Sequence, residues 1–402
     1  MRTVEEMLGQ DVIQALRRPV EEARGLPGRA YTSPEFFELE QKRLFPRTWM
    51  CIGFTADVPN PGDAIPVTAA GLPMLIVRGK DNEIRVFHNV CRHRAALVVT
   101  EPEKGLRVLS CPYHAWTYAL DGKLEATPYF DGTKQGTRCN LDRGQLGLTP
   151  VRSATWHHWI FVNIHENAPP LSEYIRPLEE LINGADLSAA RIAHREDWAW
   201  GANWKFQNDN WETYHHTWVH KNVFTKMSDD LDLATGEPKA EPIPLGTVVT
   251  LKRRTGTDFY PSGHDLPYIP IPEGKERVRC TSVVFPNLTL TLQSDHLASV
   301  VAMPVAPDRT ISMMGYYFVG DAATSPEFAD GRKRALDRWL GPTRKQGDRG
   351  GIRSQDMLIW ENQQVARSSP VADDVLFSPV WERNIHHFQN MLVDVMSEPA
   401  NR

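Results

Sequence analysis

A chain of 402 residues, 41% of them hydrophobic, is long enough for two cores, because single cores stop growing near roughly 250 to 300 residues. Its 45 basic and 50 acidic residues give a formal charge of -5 without a long run of one sign, which excludes the electrostatic footprint of a nucleic-acid or anionic-lipid binder. No stretch approaches the roughly 18 apolar residues of a membrane span, and Met1 to Gln10 lacks an apolar signal-peptide core, so a cytoplasmic protein is expected.

In chain order, Ser33-Pro34-Glu35-Phe36 predicts a helix start, a capping residue ahead of a proline and a glutamate. From Trp49 to Val151 the pattern changes to short β-rich runs. Met74 to Val77 and Ile84 to Phe87 flank the turn signal Lys80-Asp81-Asn82. Trp116 to Leu120 and Lys123 to Ala126 predict a hairpin in which Asp121-Gly122 supplies the positive φ angles of a two-residue turn. A strand at Trp159 to Asn163, a linker at Ala168-Pro169-Pro170 and a helix over Leu171 to Ile182 follow. Beyond them, Thr247 to Leu251, Cys280 to Phe285, Leu288 to Leu292 and Ser299 to Val305 read as strands. Glu327 to Leu340 and Asp356 to Arg367 read as helices, and Arg344 to Gly351 as an exposed loop. The expected class is α+β. A helical segment over 1–45 packs on the larger domain, a small antiparallel β domain spans 46–155, and an antiparallel sheet flanked by helices fills 156–402.

Five cysteines are too few for a disulfide framework in a chain of this size. Cys51, Cys139 and Cys280 read as buried small hydrophobes. Cys91 and Cys111 differ, because Cys91-Arg92-His93 is followed after 17 residues by Cys111-Pro112-Tyr113-His114. Two thiolates and two imidazoles suit tetrahedral zinc, and they suit a two-iron two-sulfur cluster in which the thiolates hold one iron and the imidazoles the other. Zinc ligands usually come as a Cys pair and a His pair, whereas here each short loop contributes one of each. The pattern Cys-x-His, 17 residues, Cys-x2-His resembles the Rieske family signature, which implies a [2Fe-2S] cluster on Cys91, His93, Cys111 and His114. Ala95 and Ala115 depart from the family, which commonly has glycine there, so these loops must turn without that backbone freedom.

Asn203 is placed to cap a helix running through Glu212, within Asn203-Trp204-Lys205-Phe206-Gln207-Asn208-Asp209-Asn210-Trp211-Glu212-Thr213-Tyr214-His215-His216-Thr217-Trp218-Val219-His220. Glu212 and His215 share one face of such a helix. His215 and His220 are separated by about 140° on it, so both ligate one metal only if the helix ends or bulges near Thr217. Glu-x2-His-x4-His after Asn-Trp-Lys resembles the mononuclear iron site of Rieske oxygenase large subunits, in which two histidines and a distant carboxylate form a facial triad. The resemblance implies His215, His220 and Asp356 as ligands, with Glu361 the alternative carboxylate, in Gln355-Asp356-Met357-Leu358-Ile359-Trp360-Glu361. It assigns Glu212 as the acid linking His215 to His114 of a neighbouring chain in a homotrimer. Asn208 is a weaker candidate at that site and His216 is structural.

The implied protein is a terminal oxygenase that uses the cluster and a mononuclear Fe(II) to activate dioxygen and hydroxylate or oxidatively demethylate a small organic substrate. Glu at position 212 points to betaine-like and carnitine-like quaternary amines, and an aromatic acid ring-hydroxylating dioxygenase is the alternative. Trp211, Trp218, Phe224, Tyr260 and Tyr268 flank the second site and can offer aromatic faces to an ammonium group, although aromatics there mostly pack cores. No Gly-x-Gly-x-x-Gly opens a helix and no plant-type ferredoxin spacing is present, so a separate NAD(P)H-dependent reductase, directly or through a ferredoxin, must supply electrons. A Rieske electron carrier would need only the first constellation, and a zinc hydrolase only the second.

Overall fold

The computed structural model describes residues 2–135, 141–210, 212, 219–220, 240–253, 266–347 and 350–398. The chain divides into two compact units, Pro46–Ala168, and Met1–Phe45 together with Pro169–Arg402.

The smaller unit is built of three antiparallel sheets. β2 (Ala64–Ala69), β3 (Leu72–Arg78), β4 (Ile84–His88) and β8 (Pro150–Val151) form one. β5 (Leu109–Ser110), β6 (Thr117–Tyr118) and β7 (Leu124–Ala126) form the second. In the third, β10 (Trp159–Val162) lies between β1 (Met50–Phe54) and β9 (Ser153–Trp156), so the unit runs past the expected boundary at 155. Leu75, Val77, Phe87, Leu109, Trp116 and Tyr118 form a core that also buries Cys91 and Cys111.

The hairpin between β6 and β7 differs from expectation. Gly122 N–H closes onto the Ala119 carbonyl at 2.9 Å, so Leu120 and Asp121 occupy the turn centre. Gly122 alone of the turn has positive φ, at 87°, and the pairing shifts register between Thr117 and Tyr118. Asp121-Gly122 thus supplies one left-handed residue and a bulge instead of a two-residue turn.

Two loops of this unit are copies of each other. Cys91 N–H donates to the Ala96 carbonyl and Ala95 N–H to the Cys91 carbonyl, at 2.8 and 3.0 Å. Cys111 N–H donates to Trp116 and Ala115 N–H to Cys111, at 2.9 and 3.0 Å. Each turn closes through a left-handed alanine, Ala95 at φ 56° and Ala115 at φ 54°.

In the larger unit, α1 (Val4–Leu8), α2 (Gln10–Leu16), α3 (Arg29–Thr32) and α4 (Pro34–Leu39) precede the sheet, and Ser33 caps α4 by accepting from Phe36 N–H as expected. After α5 (Leu171–Leu181) comes an eleven-residue strand, β11 (Ala190–Trp200). It is followed by α6 (Lys205–Asn208) and then β12 (Ala240–Leu245), β13 (Val248–Arg253), β14 (Cys280–Val284), β15 (Leu288–Leu292), β16 (His296–Ala306) and β17 (Arg309–Val319). The sheet is seven-stranded and antiparallel throughout, in the order β11-β17-β16-β15-β14-β13-β12. α7 (Ala329–Leu340), α8 (Ile352–Ala366) and α9 (Arg383–Ser397) follow the sheet.

The helix expected from Asn203 to Glu212 is shorter than its sequence suggests. Asn203 Oδ1 accepts from Lys205 N–H at 3.1 Å, but α6 ends at Asn208 and Glu212 lies beyond it. Four residues cannot sustain a helix alone. Lys205 Nζ reaches Glu40 Oε1 at 2.6 Å with both side chains fully buried, and Trp204 Nε1 donates to Glu40 Oε2 at 3.0 Å. At the far end Asp209 accepts from the Tyr31 hydroxyl at 2.5 Å and from Gln389 Nε2 at 3.1 Å. Burial pushes the Tyr31 phenol well above its ordinary value, with the Asp209 charge adding to it.

Two outcomes follow. Lys205→Met leaves Glu40 buried without its cation, which should lower stability by roughly 3 to 5 kcal/mol, whereas Glu40→Met with Lys205→Met should recover most of it. Equal thermal midpoints for the single and double variants would contradict the account. Ala95→Gly or Ala115→Gly removes a left-handed alanine and should stabilise the smaller unit by on the order of 1 kcal/mol each, read as a higher thermal midpoint.

Candidate metal centres

The duplicated loops bring Cys91, His93, Cys111 and His114 together. The imidazole centroids lie 4.6 Å apart, and Trp116 stacks on His93 at 4.9 Å and 7°. Both Nδ1 atoms are buried without a hydrogen-bond partner. The Cys91 sulfur lies 3.3 Å from the Tyr118 hydroxyl, which also accepts from Arg92 N–H at 3.0 Å. Burial pushes the Cys111 thiol up and the adjoining Cys91 thiol adds to that, while burial and then the His114 and Arg94 charges hold His93 below its ordinary value. Orphaned buried nitrogens beside two thiols fit a group that takes lone pairs from all four, and Trp116 and Phe130 pack edge to face beside it, 5.4 Å between ring centroids. Cys51 and Cys280 are buried away from these loops, their thiols pushed up by burial, to about 11 at Cys280, while Cys139 lies outside the described residues.

In the larger unit His220 and Asp356, 1% and 4% exposed, face each other with Nε2 3.3 Å from Oδ1. Gln355 Oε1, an acceptor, lies 2.8 Å from His220 Nδ1, so the proton sits on Nδ1 and the Nε2 lone pair points at Asp356. Two acceptors held 3.3 Å apart fit a cation between them. Asn210 Nδ2 donates to the same Asp356 oxygen at 3.1 Å. Glu361 is engaged elsewhere, accepting from Gly201 N–H at 2.9 Å, which favours Asp356 as the carboxylate. Among the described residues no three His, Cys, Asp or Glu side chains converge on one point, and His215 lies outside them, with His216, Thr217, Trp211, Trp218, Phe224 and Tyr260.

Asn208 donates to the Pro286 carbonyl at 2.7 Å and its Oδ1 is buried without a partner. Tyr268 is 60% exposed, with the Arg277 guanidinium 5.1 Å over its ring, so it belongs to the surface and not to a cage at this site. Sequence reasoning missed Gln355, Asn210 and Glu382. Gln355 adjoins Asp356, and that adjacency was the only local signal. Glu382 lies 170 positions from Glu212, to which it is hydrogen-bonded.

Glu382 is pushed up to about 7, by burial first and then by the Glu212 carboxyl against it, opposed by the Ser378 N–H that reaches its Oε2 at 2.7 Å. A carboxyl with a raised value favours the fold most fully below the ordinary 4.5, and that contribution is lost as pH rises through about 7. The wild type should therefore lose stability between pH 4.5 and 7 relative to Glu382→Gln, which holds a permanent donor. Parallel pH profiles of thermal midpoint would contradict this.

Comparison with known proteins places the chain in a family. The Rieske [2Fe-2S] domain profile matches residues 48–137 and that of the ring hydroxylating alpha subunit catalytic domain matches residues 185–398. The glycine betaine monooxygenase oxygenase subunit of Pseudomonas aeruginosa is 31% identical over 216 residues, 54% of this chain and 48% of that protein, so the chain spans about half the length of the first relatives it matches. The carnitine monooxygenase oxygenase subunit of Escherichia coli (strain K12) is 25% identical over 399 residues, 94% of this chain and 95% of that one. The crystal structure of a quaternary ammonium Rieske monooxygenase with gamma-butyrobetaine shares the fold, with a TM-score of 0.73 and 22% identity over 96% of this chain and 99% of that one. With the two matched domains come their cofactors, a Rieske [2Fe-2S] cluster and a non-heme iron. The catalytic-domain match alone covers more than half of the sequence, and the chain belongs to the ring hydroxylating alpha subunit family, with a Rieske domain ahead of its catalytic domain.

Proposed function

We propose that this protein is the terminal oxygenase of a multi-protein system, using dioxygen and NAD(P)H-derived electrons to hydroxylate or oxidatively demethylate a betaine-like quaternary amine. The reading rests on one observation: a single chain carries both a paired Cys-His donor set and a separate site where His220 and Asp356 turn acceptors toward each other. An electron carrier needs only the first and a hydrolase only the second. The names of the relatives, glycine betaine and carnitine monooxygenase oxygenase subunits, support the amine.

Cys91, His93, Cys111 and His114 would hold the [2Fe-2S] cluster, and His215, His220 and Asp356 the iron. When bound, these groups supply one-electron transfer and dioxygen activation. The chain supplies orientation. Gln355 keeps the proton on His220 Nδ1, and Asn210 steadies Asp356. We assign Glu212, 9% exposed, as the carboxylate that accepts one hydrogen bond from His215 and one from His114 of a neighbouring copy in a homotrimer, fixing both rings. A separate reductase, directly or through a ferredoxin, delivers the electrons, and the system works in the cytoplasm.

Glu212→Gln keeps the shape but turns one acceptor into a donor. Both metal sites should stay filled while product formation falls by roughly 10- to 100-fold. Turnover at the wild-type rate would remove the bridging role, and loss of the mononuclear iron would make Glu212 a ligand. Across a panel of quaternary amines and aromatic acids, oxygen uptake should couple to product with the amines; coupling with aromatic acids alone would overturn the substrate assignment.

A further inference from the structure

The sequence Leu288-Thr289-Leu290-Thr291-Leu292-Gln293 alternates, and every one of these residues is buried. The leucines occupy one face of the sheet and Thr289, Thr291 and Gln293 the other, because side chains alternate along a strand. The polar face is the one on which the metal-site segments lie. Gln207 of α6 donates to Thr289 Oγ1 at 3.2 Å and accepts from Ser312 Oγ at 3.1 Å. Arg353 of α8, three residues before Asp356, hydrogen-bonds the Tyr316 hydroxyl, and Tyr316 pairs with Ala298, which pairs with Thr291.

At the end of this face Gln293 stands opposite His296, its N–H donating to the His296 carbonyl at 3.0 Å. The two side chains project together, as in any cross-strand pair. They are 1% and 2% exposed, and both amide atoms of Gln293 and Nε2 of His296 are without a hydrogen-bond partner. Leaving three such atoms unsatisfied is costly, since each buried group loses its hydration without a replacement. His296 Nδ1 lies 2.6 Å from Asp295 Oδ1, so its outward nitrogen alone remains for a ligand. Cys280 pairs with Leu292, which sets Arg279 opposite Gln293 one step further and adds positive charge to this corner.

We propose that Gln293 and His296 form the subsite for a carboxylate at the end of the substrate remote from the reacting carbon. A carboxylate accepts from the Gln293 amide and from the Nε2–H of a His296 imidazolium whose Nδ1–H is given to Asp295. This inference rests on the oxygenase reading and narrows its substrate to quaternary amines that are also acids, such as glycine betaine, over amino alcohols such as choline. Phe318, stacked on His296 at 5.8 Å, fixes the imidazole plane.

The test compares the wild-type holoenzyme with Gln293→Leu and His296→Phe by calorimetric titration with glycine betaine, choline and benzoate, alongside thermal midpoints. Wild type should bind glycine betaine at least tenfold tighter than choline. Gln293→Leu should lose tenfold or more for glycine betaine, leave choline unchanged, and unfold at the same or a higher temperature, because it removes an unsatisfied amide. A structural role alone would lower the midpoint and spare the difference between ligands. Unchanged affinity for glycine betaine in both variants would overturn the subsite. If wild type binds benzoate but neither amine, and Gln293→Leu loses it, the subsite stands and the amine reading falls; if wild type binds none of the three, the subsite falls.

Discussion

The candidate iron site in the larger unit hangs on a helix too short to hold itself. α6 has four residues, and nucleating a turn fixes several dihedral angles for a single hydrogen bond. The missing stabilisation comes from charged groups in a dry interior. Glu40 receives Lys205 and Trp204 at its start, and Asp209 receives Tyr31 and Gln389 just past its end. Burying charges is costly unless each is paired, so these contacts admit one placement of the segment. Gln207, between them, is thereby brought to Thr289 and Ser312, and Asn210 to Asp356. The N-terminal helices are part of the site for this reason, since they carry Tyr31 and Glu40.

Both centres turn acceptor atoms toward the place a cation would take. At the first, two Nδ1 atoms have no partner. At the second, Gln355 takes the one proton that would have let His220 donate to Asp356. A fold under selection for stability alone would satisfy the two Nδ1 atoms of the first centre, so their persistence marks a binding site. The alanines at 95 and 115 belong to the same pattern: local strain is tolerated where the surrounding loop hydrogen bonds over-determine the turn.

Much of this was legible in the sequence because its signals are local. Cys91, His93, Cys111 and His114 sit in two short loops at fixed spacing, and Ser33, Pro34 and the alternating Leu288–Leu292 run mark their elements by short-range chemistry. β11 escaped notice because its Ala190–Trp200 run mixes Arg, His, Glu and Asp into a strand only partly covered, which blurs the alternation. α9 escaped because its N-cap, Glu382, makes no side-chain capping bond. The length of α6 was misread since helical periodicity continues past Asn208 in the sequence, while Asp209 is turned toward Tyr31 and Gln389 by partners 178 and 180 positions away. Gln355, Asn210 and Glu382 acquire their roles only from such long-range contacts, and no spacing rule carries them.

The central claim is that one chain holds two different iron centres. Iron and acid-labile sulfide, determined per chain on protein purified without oxygen, test it most directly, with electron paramagnetic resonance of the reduced sample identifying the cluster. The account predicts three irons and two sulfides per chain and the signal of a cluster with mixed Cys and His ligation. Two irons with two sulfides, and no further iron taken up on reconstitution, would leave His220 and Asp356 without a metal and contradict it.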